Sequence, residues 1–281
     1  MILLLNKNEA FERIKMEETQ RLISGEFVVK NEGIYTYAHY YDYEHSEGKR
    51  KVVIVGMNHV GDKKYYENVK KILEPCEVVL YEYCIHPSPQ EAISDEDFQK
   101  EMEEDFRKMN SDVIDEAFFP AIQTYFMATQ GYFKDLVSES SQFDAIQSGW
   151  EAGDTEESFF SPEEKMKEGL NRLSEARKKS VIEYVKKTLK RVRENRFSKR
   201  EWGDGFVFFY EDGILEDILL GALARPRDEM VFRKFDKIIL EKNPQSIGIK
   251  FGAGHLPYQR KLLEQRDYRY LDSVELCNIA F

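Results

Sequence analysis

The sequence is poor in the residues that staple or anchor a chain. Cysteine occurs three times in 281 residues (Cys76, Cys84, Cys277), an odd number with no CxxC spacing. That argues against a disulfide framework and for a reducing compartment, with each thiol read as a small buried apolar residue. Long apolar runs are also missing. None approaches the roughly 18–20 residues of a membrane span. The N-terminal "ILLL" is too short for a secretory signal, and acidic, helix-like sequence follows it. A cytoplasmic protein without a membrane partner is expected. No repeat of 20–50 residues and no low-complexity tract is visible. Histidine occurs only five times, which gives each one weight.

Apolar residues make up 42% of the chain, enough for a sizeable core, and 33% are charged. The mean hydropathy of −0.58 is that of a soluble protein. The length suits one domain that carries an insertion. The net charge of −11 argues against nucleic acid as a partner. The charge is uneven. Residues 165–200 hold 14 Lys and Arg against 4 Asp and Glu, and residues 91–116 hold 11 acidic against 3 basic side chains. These read as solvated helices able to pack side by side, or as a basic face for an anionic ligand.

Periodicity predicts a helix over 8–24, closed by Gly25. "EFVVK" and "IYTYAHYY" flank the turn "NEG" and predict a hairpin. "KVVIV" (51–55) and "EVVLYEY" (77–83) read as buried strands joined by a helix that stops near Pro75, a βαβ unit with neighbouring parallel strands. Residues 94–145 read as helical, with Ser94 as N-cap. "SPEE" (161–164) starts a helix that runs close to Arg196. "FVFFY" (206–210) reads equally as strand or buried turn. Helices over 214–223 and 227–243, a strand at 245–251, a helix over 256–266 and a final strand complete the chain. The expected fold is α/β: a mixed, mainly parallel central sheet flanked by helices. A single domain, 1–281, would have a core of 26–85 and 225–281 and a helical insertion over 90–220.

Two stretches, "GMNH" (56–59) and "GAGH" (252–255), place a His three residues after a Gly at the end of a strand-like run. In an open parallel sheet, ligands bind at the carboxyl ends of strands. His59, His255 and Glu82 would gather there. Two imidazoles and a carboxylate with open positions suit a catalytic metal, which would activate a bound water. Gly56, Gly252 and Gly254 would let the backbone turn and approach a ligand. Asn58, inside the first turn, is a further candidate for holding substrate. His39, His45 and His86 lie in a hairpin and in polar loops and read as surface or structural residues.

The stretches 52–84 and 227–270 resemble the TraB/GumN/TIKI family of the erythromycin-esterase and ChaN-like superfamily. The likeness lies in the paired GxxH motifs, in "PCEVVLYE" ending at Glu82, and in "RDEM" with Arg227, Asp228 and Met230 in step. Position 258 is Tyr where Gly is common, and no Arg follows Asp154 in "GWEAGD", unlike a Gly-Asp-Arg segment of the family. The resemblance implies a sheet with helices on both sides. It also implies metal-dependent hydrolysis for some members, with peptide or amide bonds as substrate; other superfamily members bind haem or are metal-free esterases. His59, Glu82 and His255 are thus expected to bind Mn²⁺, Co²⁺ or Zn²⁺, or to serve as base and orienter without a metal. Arg227 would neutralise an oxyanion or hold a substrate carboxylate. Two alternatives remain open: a non-catalytic protein of the same fold that binds a peptide or small molecule, and a phosphoester or nucleotide hydrolase using the basic stretch.

Overall fold

The computed structural model describes residues 21–23, 27–45, 48–82, 100, 103–104, 106–111, 113–143, 149–154, 170–210 and 224–281. Its strands are β1 (Arg21–Ile23), β2 (Phe27–Lys30), β3 (Gly33–His45), β4 (Gly48–Met57), β5 (Val60–Gly61), β6 (Val78–Tyr81), β7 (Val137–Ser138), β8 (Trp150–Ala152), β9 (Ser246–Gly252) and β10 (Arg269–Ala280). Its helices are α1 (Lys63–Leu73), α2 (Ile114–Gln130), α3 (Glu139–Gln142), α4 (Glu175–Arg193), α5 (Lys199–Tyr210), α6 (Arg225–Lys242) and α7 (Leu256–Glu264). The fold is α/β, with a mixed eight-stranded sheet in the order β1-β2-β3-β4-β9-β6-β8. β10 runs along the edge of β3 opposite β2 and β4. β4, β9, β6 and β8 are mutually parallel, and the other pairs are antiparallel.

β4 and β6 point the same way but are not neighbours. β9 lies between them: Ile247 pairs with Val52 on one side and Val78 on the other. A crossover helix fixes the direction and hand of two strands, and it leaves room for a third strand to enter between them. β9 takes the central place because it buries residues on both faces. Ile247, Ile249 and Phe251 pack on Val231, Phe232 and Phe235 of α6 and on Leu262 and Leu263 of α7. On the opposite face, Val53, Val55 and Val79 pack on Tyr65, Tyr66, Val69 and Leu73 of α1.

The described part of 90–220 is mainly helical, but it also supplies β8 to the sheet edge and β7 to a small ladder with β5. Its aromatic stretches form core. Phe118, Tyr125, Trp202, Phe206 and Phe209 pack with Phe27, Val29 and Ile34 of the sheet. "FVFFY" is helical, inside α5. The long basic helix is broken before Glu175, where the Ser174 side chain accepts the N–H of Arg177 at 3.2 Å and caps a new helix. Much of the basic stretch faces acid within this layer: Lys178 meets Asp115 at 2.6 Å and Lys199 meets Asp135 at 2.7 Å. At the other end, Arg21–Ile23 is a strand paired with Phe27–Val29, not the end of a helix. The rest of 8–20, Ser94, 161–169, 214–223, Cys84 and His86 lie outside the described residues. Among the described residues no helix is long and apolar enough to cross a membrane.

Gly56 lies within β4 and serves close packing rather than a turn. A side-chain carbon there would stand 2.8 Å from Leu256 Cδ2 and 3.1 Å from the Ala253 side chain. Gly56→Ala is expected to lower stability by about 1–3 kcal/mol through overpacking. Urea denaturation checks this, with a lower midpoint and an unchanged slope as the expected result.

Candidate functional site

Each of the four parallel strands delivers one polar residue at its carboxyl end. β4 leads to His59, β9 to His255, β6 to Glu82 and β8 to Asp154. The start of α6 adds Arg227 and Asp228. Residues far apart in the sequence thus meet at one edge of the sheet.

Glu82 is buried, and both of its oxygens are engaged. Oε2 accepts the Gly252 N–H at 2.6 Å. Oε1 faces Arg227 Nη2 at 2.9 Å and His255 Nε2 at 3.6 Å. Arg227 is itself buried, and its Nε donates to Asp154 Oδ2 at 2.7 Å. The guanidinium therefore spans Glu82 and Asp154 and points away from solvent. Burial opposes charge on Glu82, yet His255, His59 and Arg227 hold its carboxyl well below the usual range.

His255 packs its Nδ1 against Asp228 Oδ1 at 2.9 Å, and Gln259 Nε2 donates to the same oxygen at 2.7 Å. Burial works against a charged imidazole here. Asp228 and Glu82 outweigh it and push the pKa up to about 10. Burial also pulls the Asp228 carboxyl upward, so the two groups compete for one proton. The two carboxylates around the ring favour the proton on His255.

His59 is the more open imidazole, with 45% of its side chain exposed. Its Nδ1 lies 2.8 Å from Glu139 Oε2. The Glu139 N–H also donates to the His59 carbonyl at 2.8 Å, so one residue holds both the ring and the backbone. The β5–β7 ladder brings Glu139 there: Val60 pairs with Ser138. The other Glu139 oxygen pairs with the buried Lys250 Nζ. Tyr66 donates to the Asn58 carbonyl and Tyr65 to the Gly56 carbonyl, both at 2.8 Å, which fixes the first glycine–histidine turn from α1.

Gly252 lets Glu82 and both rings close in on the strand end. A side-chain carbon placed on it would lie 3.2 Å from Glu82 Oε2 and 3.7 Å from both His59 Nε2 and His255 Cδ2. Neither Gly252 nor Gly254 needs a positive φ. Gly254 lies in the short 3₁₀ turn Ala253–His255. The Asn58 side chain instead donates to Asn278 Oδ1 of β10 at 2.7 Å.

The arrangement does not fit a metal held by His59, Glu82 and His255. His255 is the residue that fits least. Both of its nitrogens face carboxylates, and the Glu82 oxygens are taken by Arg227 and a backbone N–H. Among the described residues no group of three His, Cys, Asp or Glu side chains is disposed to hold a metal ion. The sequence pointed to His59, Glu82, His255 and Arg227. It touched Asp228 and Asp154 only through the resemblance, and it did not single out Glu139 or Lys250.

Comparison of the chain with protein-family models, with curated proteins and with solved structures finds no significant match in any of the three.

Two expectations follow. The raised His255 pKa contributes stability that is complete below its ordinary value of 6.5 and is lost as pH rises through about 10. Denaturant midpoints across that window should fall, and His255→Gln should remove this part of the fall. Arg227→Met leaves two buried carboxylates without their cation and should cost about 3–5 kcal/mol in the same assay at neutral pH.

Proposed function

We propose that the chain is a hydrolase of peptide or amide bonds that works by acid–base chemistry at the His59–Glu82–His255 edge. The observation that carries this reading is the convergence at Gly252. His59 Nε2 and Glu82 Oε2 both face the missing side chain of Gly252, at 3.7 and 3.2 Å from where its first carbon would stand, and a water beside the bare glycine would have both as partners. The amide preference comes from the resemblance to the TraB/GumN/TIKI family, not from the walls of the site.

In this mechanism Glu139 holds Nδ1 of His59 and turns Nε2 to the water. Glu82 stays ionised and accepts a hydrogen bond from the second O–H of the water, which aims the oxygen. Its own position is set by Arg227 and the Gly252 N–H. The water oxygen attacks the carbonyl carbon while its proton passes to His59 Nε2. The C–N bond then breaks, and the imidazolium returns that proton to the leaving nitrogen, giving a carboxylic acid and an amine. The His255 ring, which its two carboxylates favour in the charged form, lies beside the same glycine and would supply positive charge to the oxyanion. Arg227 is a positioning residue here, since Glu82 and Asp154 occupy its guanidinium.

A panel of chromogenic peptide and amide substrates tests the reading. His59→Ala should lose about 10²–10⁴-fold in kcat, with an unchanged melting temperature, and a chelator should have no effect. Undiminished turnover by His59→Ala removes the site. Loss of turnover with chelator, restored by Mn²⁺, Co²⁺ or Zn²⁺, replaces this mechanism with a metal-dependent one.

A further inference from the structure

Lys250 is the anomaly of the central strand. It stands in "SIGIKFG", flanked by β4 and β6, and is 3% exposed. Alternation puts Ile249 and Phe251 on the α6 face and Lys250 on the α1 face. There Gly248, two residues before it, is already packed against Leu73 and Val79. An ammonium at such a position costs several kcal/mol unless it is paired. Its pair is Glu139 Oε1, and its Nζ also lies 4.9 Å from the centre of the Phe143 ring. Both partners come from the insertion. The other oxygen of Glu139 faces His59 Nδ1.

We infer that Lys250 is a positioning residue that fixes the tautomer of His59 through Glu139. The inference rests on the reading of His59 as the base. The chain of contacts is Lys250 Nζ to Glu139 Oε1, then Glu139 Oε2 to His59 Nδ1. A carboxylate can only accept from the ring, so the neutral imidazole carries its hydrogen on Nδ1 and presents a bare Nε2 toward Gly252. Glu139 performs this task only while it is ionised and aimed, and it is almost fully enclosed. Lys250 is the fixed cation that satisfies both conditions. Burial works against the charge on Glu139, and Lys250 followed by His59 offsets it, so the carboxyl remains below its ordinary range. The backbone bond from Glu139 to the His59 carbonyl and the β5–β7 ladder keep the segment in place. Lys250 therefore acts on the carboxylate, not on the fold of the turn.

This division of labour can be measured without a substrate. In ¹⁵N-labelled protein, long-range ¹H–¹⁵N spectra of the imidazoles, recorded above the titration of the ring, report which nitrogen of His59 carries hydrogen. The wild type and Lys250→Arg should show the Nδ1–H form alone. Lys250→Met should show a mixture of both tautomers. If Lys250→Met does not fold, Lys250→Met with Glu139→Gln removes both buried charges together. The Gln amide donates as well as accepts, so this double variant should show the mixture too. With a substrate from the panel, Lys250→Met should lower kcat at least about 10-fold while KM stays the same, and Lys250→Arg should restore it. An unchanged Nδ1–H form in folded Lys250→Met, or in the double variant, overturns the inference. Full activity in His59→Ala would instead overturn the hydrolase reading. The spectra keep the two failures apart.

Discussion

The site depends on one buried guanidinium. Glu82 and Asp154 end adjacent parallel strands, β6 and β8, and Asp228 stands close by at the start of α6. Three carboxylates at a buried edge repel one another, and each resists ionisation in a low dielectric. Arg227 joins Glu82 to Asp154, and His255 joins Glu82 to Asp228. Buried ion pairs of this kind add little net stability compared with well-packed apolar groups, but they discriminate strongly between arrangements. Here they set where α6 begins relative to the strand ends. A shift of that helix by one residue would leave two carboxylates without a cation.

The same economy governs the space at the edge. The parallel register sets Met57 beside Gly252, and a glycine at 252 leaves its side of the strand end open to Glu82 and to both imidazoles. At Gly56 the missing side chain is filled by Leu256 and Ala253 instead. The two glycines that look alike in sequence thus admit different neighbours. One lets apolar side chains close the packing between β4 and the turn before α7. The other lets the polar groups of the site close on the strand end.

His59, Glu82, His255 and Arg227 were legible because their signals are local: a glycine–histidine turn, or an acid or a base at the edge of an apolar run. Their partners were not. Glu139 sits in the polar "SESSQ" and Asp154 in "EAGD", and nothing within either segment says that a strand ladder will carry it to the sheet edge. Lys250 did leave a trace, a single charge inside an apolar strand with covered faces, which is costly unless paired. The hairpin, the crossover helix and the central strand were readable from period and turn residues. The place of β9 between β4 and β6 was not, because a crossover sets direction and hand but not adjacency. At Arg21–Ile23, pairing with β2 prevails over an amphipathic pattern that reads as helix, an instance of tertiary context overriding local preference.

Residue types alone leave the chemistry of a His–Glu–His edge undecided, since the same three side chains serve a metal or a proton relay. The direction of each ring separates the two. A ligating histidine turns a bare nitrogen to the metal and uses the other to donate to a second group. His59 has that disposition, with Glu139 behind it and Nε2 in front. His255 does not: carboxylates stand at both of its nitrogens and favour the charged ring. The two imidazoles thus meet different surroundings, one carboxylate behind His59 and two around His255. Under the proposed hydrolase reading, environments that drive two like groups apart in this way would give the base and the electrostatic partner at a single edge.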